Sequence, residues 1–153
     1  MVQDLLTHSH TRTYIKTHSI IQRQGENVYF LAIVMQGQCE AILEHKAENK
    51  KAEKISDIVE LDWIGSIEFM DVKEAQKTED IFEPPVAQMT IRTKQTPCEI
   101  IIWEIEDLQQ LFEKNQLFKT IINSLIAFDL AKKLQSTFLS NMQTKRLKSK
   151  NSN

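Results

Sequence analysis

The chain has 153 residues, enough for one domain with a buried core, and its 19 basic residues fall short of its 21 acidic ones, for a net charge of −2. That balance excludes the strongly basic face of a nucleic-acid binder. No apolar run is long enough to cross a bilayer, and the opening M-V-Q-D-L-L-T-H lacks the basic lead and apolar block of a secretory signal, so a soluble, intracellular chain with no further address is expected.

Residues 1–10 carry few apolar positions and read as an arm. His8 and His10 form an H-x-H pair, but no acid or third histidine is spaced to complete a site, so no metal is expected. Thr11–Lys16 alternates, with Tyr14 and Ile15 favouring a strand, and Ser19–Gln24 reads as a second. Gly25-Glu26-Asn27 supplies the positive φ of a tight turn. Val28–Gln36 is nearly all apolar and reads as a buried strand. Gly37-Gln38 reads as the next turn and Cys39–Glu44 as a half-buried strand. Ala47–Lys54 is a charged loop, and Ile55–Leu61 alternates again. Short strands at this spacing, with glycine turns and no helix between them, predict an antiparallel barrel or sandwich.

Trp63–Ala75, W-I-G-S-I-E-F-M-D-V-K-E-A, breaks the pattern. Gly65 precedes Glu68, Asp71 and Glu74, which are threaded between Ile67, Phe69 and Met70. The stretch reads as a loop that exposes backbone amides and points acids into a pocket. Gln76–Pro85 is polar and acidic and ends in two prolines, which favour an extended entry to the next strand. Ala87–Thr93 alternates, Gln95-Thr96-Pro97 reads as a turn, and Cys98–Ile105 as the last strand. Cys39 and Cys98 leave open one disulfide or two buried thiols; a chain without a secretory signal favours thiols.

From Glu106 the apolar period becomes helical. Leu108, Leu111 and Phe112 predict a helix over Glu106–Lys114, with Glu106 and Asp107 in the first turn, where the helix dipole favours acids. Asn115 breaks it, and a long helix follows over Gln116–Asn141. Ile121, Leu125, Phe128 and Leu134 widen its apolar face beyond what one layer buries, which points to a partner helix or self-association. Lys145, Arg146, Lys148 and Lys150 then mark a basic, flexible tail over 142–153. The fold expected is α+β: an antiparallel, jelly-roll-like β-roll over residues 11–141, closed by two C-terminal helices.

A β-roll with I-I-Q-R-Q-G-E-N-V-Y-F-L-A-I-V-M-Q-G-Q-C-E in its front half resembles the cyclic-nucleotide-binding fold. The back half resembles one branch of it, the Popeye domain. Phe69, Asp71 and Glu74 match that family's phenylalanine–aliphatic–aspartate and later glutamate; its serine-proline and aromatic are replaced here. Gln88 and Thr90 match its next strand. Cys98, Trp103, Leu108, Leu111-Phe112, Leu125-Ile126, Asp129, Ala131 and Lys133-Leu134 fall where it has the same or similar residues. The resemblance spans roughly Tyr14–Leu134. It implies a non-enzymatic cyclic AMP-binding module that associates through its long helix and engages membrane partners. The family's transmembrane helices have no counterpart here, which leaves open a free-standing relative or a fragment.

A cyclic nucleotide presents a phosphate, a ribose 2′-hydroxyl and a purine. The phosphate calls for backbone amides at a helix start, usually with an arginine. The common cassette of the fold meets the first two needs with Gly-Glu and a later Arg-x-Ala. Here Gly65 is followed by Ser66, and no arginine lies between Trp63 and Ile91. The ligand-binding candidates are therefore Gly65, Ser66, Glu68, Asp71, Lys73, Glu74, Gln88 and Met89. Asp71 is read as facing the ribose or ordering the loop, Glu74 as the second acid, and Lys73 as the phosphate contact. Gln88 and Met89 would line the pocket from the facing strand. The competing reading is a degenerate module that kept the fold, lost the pocket and acts as an assembly subunit through the long helix. A cupin-like metal enzyme would need several histidines converging in the strands, and His8, His10, His18 and His45 fall outside them. A DNA-binding regulator would need a helix-turn-helix after the long helix, where this chain stops.

Overall fold

The structure is a computed structural model that describes residues 2–45, 51–75 and 84–150. Most of the acidic stretch from Gln76, with Lys77, lies outside the described residues, as does the first part of the Ala47–Lys54 loop.

Two long strands form the spine, β3 (Phe30–Leu43) and β6 (Thr90–Glu104). They pair antiparallel from Phe30↔Glu104 to Ile42↔Thr90. On its other side β6 carries β1 (Ser9–Tyr14) and β2 (Ile20–Gln22). The free side of β3 carries β4 (Glu53–Ile58) and the two-residue β5 (Trp63–Ile64). The result is the expected antiparallel roll. Helices α1 (Val2–Thr7), α2 (Ser66–Ala75), α3 (Ile105–Lys114) and α4 (Gln116–Lys150) accompany it.

Strand alternation divides the core in two. Successive side chains on a strand point to opposite faces. Leu31, Trp63 and Trp103 accordingly face the helices, with Phe69, Leu108, Phe112, Phe118 and Ile126. Their neighbours Ala32, Ile64 and Ile102 face the inside of the roll, with Val34, Ile91 and Ile100. Trp63 and Trp103 lie 6.0 Å apart between ring centroids, and Phe69 meets Phe112 edge-on at 6.1 Å. Both tryptophans are therefore packing residues.

Several boundaries differ from those expected. Gly37 does not close a hairpin. It holds φ +82° inside β3, and the register with β6 shifts on both sides of it. The same left-handed conformation serves a turn or a bulge, and here the chain continues forward. Thr96 and Pro97 sit within β6 without a register partner in β1, β2 or β3, so the missing proline N–H interrupts no ladder. At the N-terminus, residues 2–7 of the arm are helical and the sheet already begins at Ser9, opposite Trp103. Asn115 does separate the last two helices. Its N–H bonds Leu111 O, and its Oδ1 accepts the Phe118 N–H at 3.0 Å, capping α4. That helix runs on to Lys150, past Asn141, through the basic segment read as a tail.

Gly65, φ +82°, turns the chain from β5 into α2 against the start of β3. A Cβ there would lie 2.8 Å from the Phe30 carbonyl oxygen. Gly65→Ala is expected to cost about 2–4 kcal/mol, from backbone strain and the displaced β3 backbone. Urea denaturation checks it: the midpoint should fall with little change in slope.

Candidate functional site

The stretch read as an acid-bearing loop is a helix. The Gly65 turn places Ser66 at the start of α2, and the Phe69 N–H bonds the Gly65 carbonyl at 2.8 Å. Phe69 is buried in the helix-side core and Met70 packs against it. Asp71, Lys73 and Glu74 lie in the second half of α2; their side chains are outside the described residues.

Glu68 is the acid the structure buries, at 3% exposure. It accepts a hydrogen bond from Gln22 Nε2 at 3.0 Å and from the Gln88 backbone N–H at 3.1 Å. One carboxylate thus joins β2, α2 and the segment leading into β6. Gln22 Nε2 also lies 3.5 Å from the Met89 carbonyl. Its other amide atom, Oε1, is buried without a hydrogen-bond partner among the described residues. An unmet buried acceptor is costly, so it marks a place where a donor is wanted. Gln88 reaches this cluster through its backbone; its side chain is exposed and bonds the Val86 carbonyl. Met89 is half-buried and packs against the core inside the roll.

Ser66 is committed elsewhere. It is 1% exposed and donates to Asp129 Oδ2 at 3.0 Å. Asp129 also accepts the Trp63 N–H at 3.3 Å and pairs with Lys133 at 2.6 Å. Lys133 Nζ donates to the Trp63 carbonyl at 2.8 Å and to Ser66 Oγ at 3.1 Å. One turn's worth of α4 therefore holds both ends of the β5–α2 corner. Beside it, Lys132 pairs with Asp62, and that hydrogen bond raises the lysine pKa. Asp62 in turn accepts the Val59 N–H at 2.9 Å and fixes the turn into β5.

Of the candidates, Gly65 and Glu68 are where the corner and the buried acceptor need them. Ser66 belongs to the α4 contact. Sequence reasoning missed Gln22, a polar residue in a short apolar run with no distinguishing signal. It also assigned no role to Lys132, and none to Asp129 and Lys133 beyond their match to the Popeye pattern; their i,i+4 spacing was the available cue. Among the described residues no group of three or more His, Cys, Asp or Glu could hold a metal ion, and no helix is long and apolar enough to cross a membrane.

The architecture is that of cyclic-nucleotide-binding domains. A cyclic nucleotide-binding domain from Methylobacillus flagellatus KT superposes with a TM-score of 0.76 at 12% identity, over 94% of this chain and 71% of that one. The c-di-GMP-responsive global regulator CLP of Xanthomonas campestris gives 0.71 at 23% identity, over 93% of this chain and 62% of its own. The catabolite activator protein of Thermus thermophilus gives 0.58 at 16%, over 97% of this chain and 58% of its own. The chain thus spans less than two thirds of either regulator, and at these identities the likeness is one of fold. No protein-family model matches the chain, so the Popeye resemblance rests on the residues quoted above. No curated protein matches it by sequence.

The α4 contact has a direct test. Asp129→Ala removes the carboxylate shared by Lys133, the Ser66 hydroxyl and the Trp63 N–H and should cost about 2–4 kcal/mol. Lys132→Ala, at a side chain 55% exposed, should cost less than about 1 kcal/mol. Equal losses for the two variants in urea denaturation would contradict the assignment of Asp129 as the joint.

Proposed function

We propose that the chain is a non-enzymatic cyclic-nucleotide-binding regulatory module, with cyclic AMP as the ligand the Popeye resemblance favours. The observation that carries the reading is buried Glu68 beside Gln22, whose Oε1 has no partner among the described residues. Two acceptors side by side suit a ligand that brings hydroxyl or amino donors, as a ribose and an adenine do. The first-turn amides of α2 supply donors for the phosphate. The fold neighbours support the class, since one is a cyclic nucleotide-binding domain and another a c-di-GMP-responsive regulator. In this reading Asp71, Lys73 and Glu74, on the same helix, contribute to the ligand's surroundings, and ligand contact with α2 reaches α4 through Ser66 and Asp129.

Titration calorimetry with cyclic AMP, cyclic GMP and cyclic di-GMP tests it. Saturable binding of one of them is expected, weakened at least tenfold by Glu68→Gln. Silence with all three at millimolar concentration removes the reading.

A second reading, an assembly subunit that has lost the ligand, has its own support. Ser66 stands where the common cassette has its glutamate, and it is spent on Asp129 and Lys133. Along α4, Ile121, Leu125 and Phe128 are 39%, 47% and 74% exposed at spacings of four and three, and Leu139 and Met142 return to that face after the polar Lys132 and Gln135. Leu134, 72% exposed, lies a third of a turn aside, near Phe138. This face suits a second helix, from another copy or a partner protein. Sedimentation should show an oligomer that Phe128→Asp dissociates, with no nucleotide dependence if this reading is correct and a nucleotide-dependent shift if the first is.

A further inference from the structure

Cys39 on β3 and Cys98 on β6 are free thiols, fully buried inside the roll, with their Sγ atoms 3.5 Å apart. A regular ladder would not bring them together, because Cys39 is opposite Thr93 and Cys98 is opposite Tyr14 of β1. The meeting depends on the irregularity at Gly37. There the register jumps from Gln36↔Glu99 to Gln38↔Gln95, and a Cβ on Gly37 would lie 2.9 Å from Cys98 Cα and 2.5 Å from the Pro97 carbonyl oxygen. The missing side chain lets β6 close on β3 where the two sulfurs face each other.

We infer that Cys39 and Cys98 form a dithiol–disulfide site, closed in the folded roll by a peroxide and reopened by a thiol reductant once the roll opens. A disulfide needs a sulfur–sulfur distance of about 2.05 Å, so the sulfurs must approach by about 1.5 Å. Bulged strands absorb such a shift more readily than a regular ladder. Burial selects the oxidant: hydrogen peroxide is scarcely larger than water, whereas a bulky disulfide would have to enter the core. The two thiols are unequal. The hydrogen bond between them holds the Cys98 pKa below the usual thiol range and, together with burial, pushes that of Cys39 up. Either thiol can serve as the attacking thiolate with the other as its resolving partner; here Cys98 attacks. It breaks the peroxide O–O bond, becomes a sulfenic acid and releases hydroxide, which takes up a proton as water. The Cys39 sulfur then attacks the Cys98 sulfur and expels a second hydroxide, which leaves as water with the Cys39 proton. Two thiols lose two electrons and two protons, and one peroxide becomes two waters.

The cysteines are 59 positions apart, and the segment between them carries β4, β5 and α2. Closing the bond would tether the whole Glu68 corner to the spine. The inference does not rest on nucleotide binding.

Purified protein is treated with hydrogen peroxide, unfolded, alkylated and weighed intact. The expected product is a monomer that has lost two hydrogens and both alkylatable thiols, and that regains them with dithiothreitol. Its melting temperature should rise by roughly 5–15 °C. Cys39→Ser or Cys98→Ser should remove both effects. Two thiols still alkylatable in folded, peroxide-treated protein would overturn the inference. So would oxygen added in place of hydrogen lost, or a disulfide formed only between chains. An unchanged melting temperature of the oxidised monomer would overturn the tether. The wild type carries the decisive reading, so a serine variant that fails to fold leaves it standing.

Discussion

The contact between Asp129 and the β5–α2 corner is what gives the helical layer a fixed position on the sheet. Apolar packing alone is nondirectional: Leu31, Trp103, Phe112 and Ile126 would accept a helix sliding by a fraction of a turn. A buried carboxylate would not. Asp129 must satisfy its charge, and it does so with the Trp63 N–H, the Ser66 hydroxyl and Lys133. Two of those partners lie off the helix, Trp63 in β5 and Ser66 at the start of α2, so the register of α4 is tied to the element that carries Glu68.

Other polar side chains of the sheet are tied to partners. Arg92 of β6 pairs with Glu40 of β3 at 2.8 Å, on the face opposite Cys39, Ala41 and Ile91, and Thr90 donates to the exposed Glu44 at 2.7 Å. Against that pattern Gln22 stands out, because half of its amide is matched and half is not. A structure that otherwise satisfies the buried side-chain nitrogen and oxygen atoms of its described residues leaves one acceptor open beside a buried acid. That contrast is why we place ligand contact there.

Much of the fold was legible because two periodicities dominate the chain. The apolar run Val28–Gln36 and the strand patterns of Cys39–Glu44, Ala87–Thr93 and Cys98–Ile105 marked the spine, as four strands divided by turns, and the apolar spacing after Glu106 marked the helices. The misreadings have physical causes. Gly37 and Pro97 look like turn residues one at a time, but they lie across from each other, and a shared bulge is invisible to a reading along one strand. In α2, Glu68 and Phe69 are adjacent and both buried, so the helix shows no apolar stripe and reads as a loop. Lysine and arginine past Asn141 continue α4, because they are good helix formers with no need of a core. For the site, the acids of Trp63–Ala75 were visible as a group. Which of them is buried was not, since that depends on Gln22, 46 positions away.

The central claim is that the Gln22–Glu68 cluster receives a cyclic nucleotide. The most direct test is nuclear magnetic resonance of the labelled protein, following the Gln22 side-chain amide and the backbone amides of residues 65–69 as nucleotide is added. Our account predicts that these signals shift together and saturate, with the amides around Trp63 and Asp129 following. Unmoved Gln22 and α2 signals at millimolar nucleotide, with the fold intact, would contradict it.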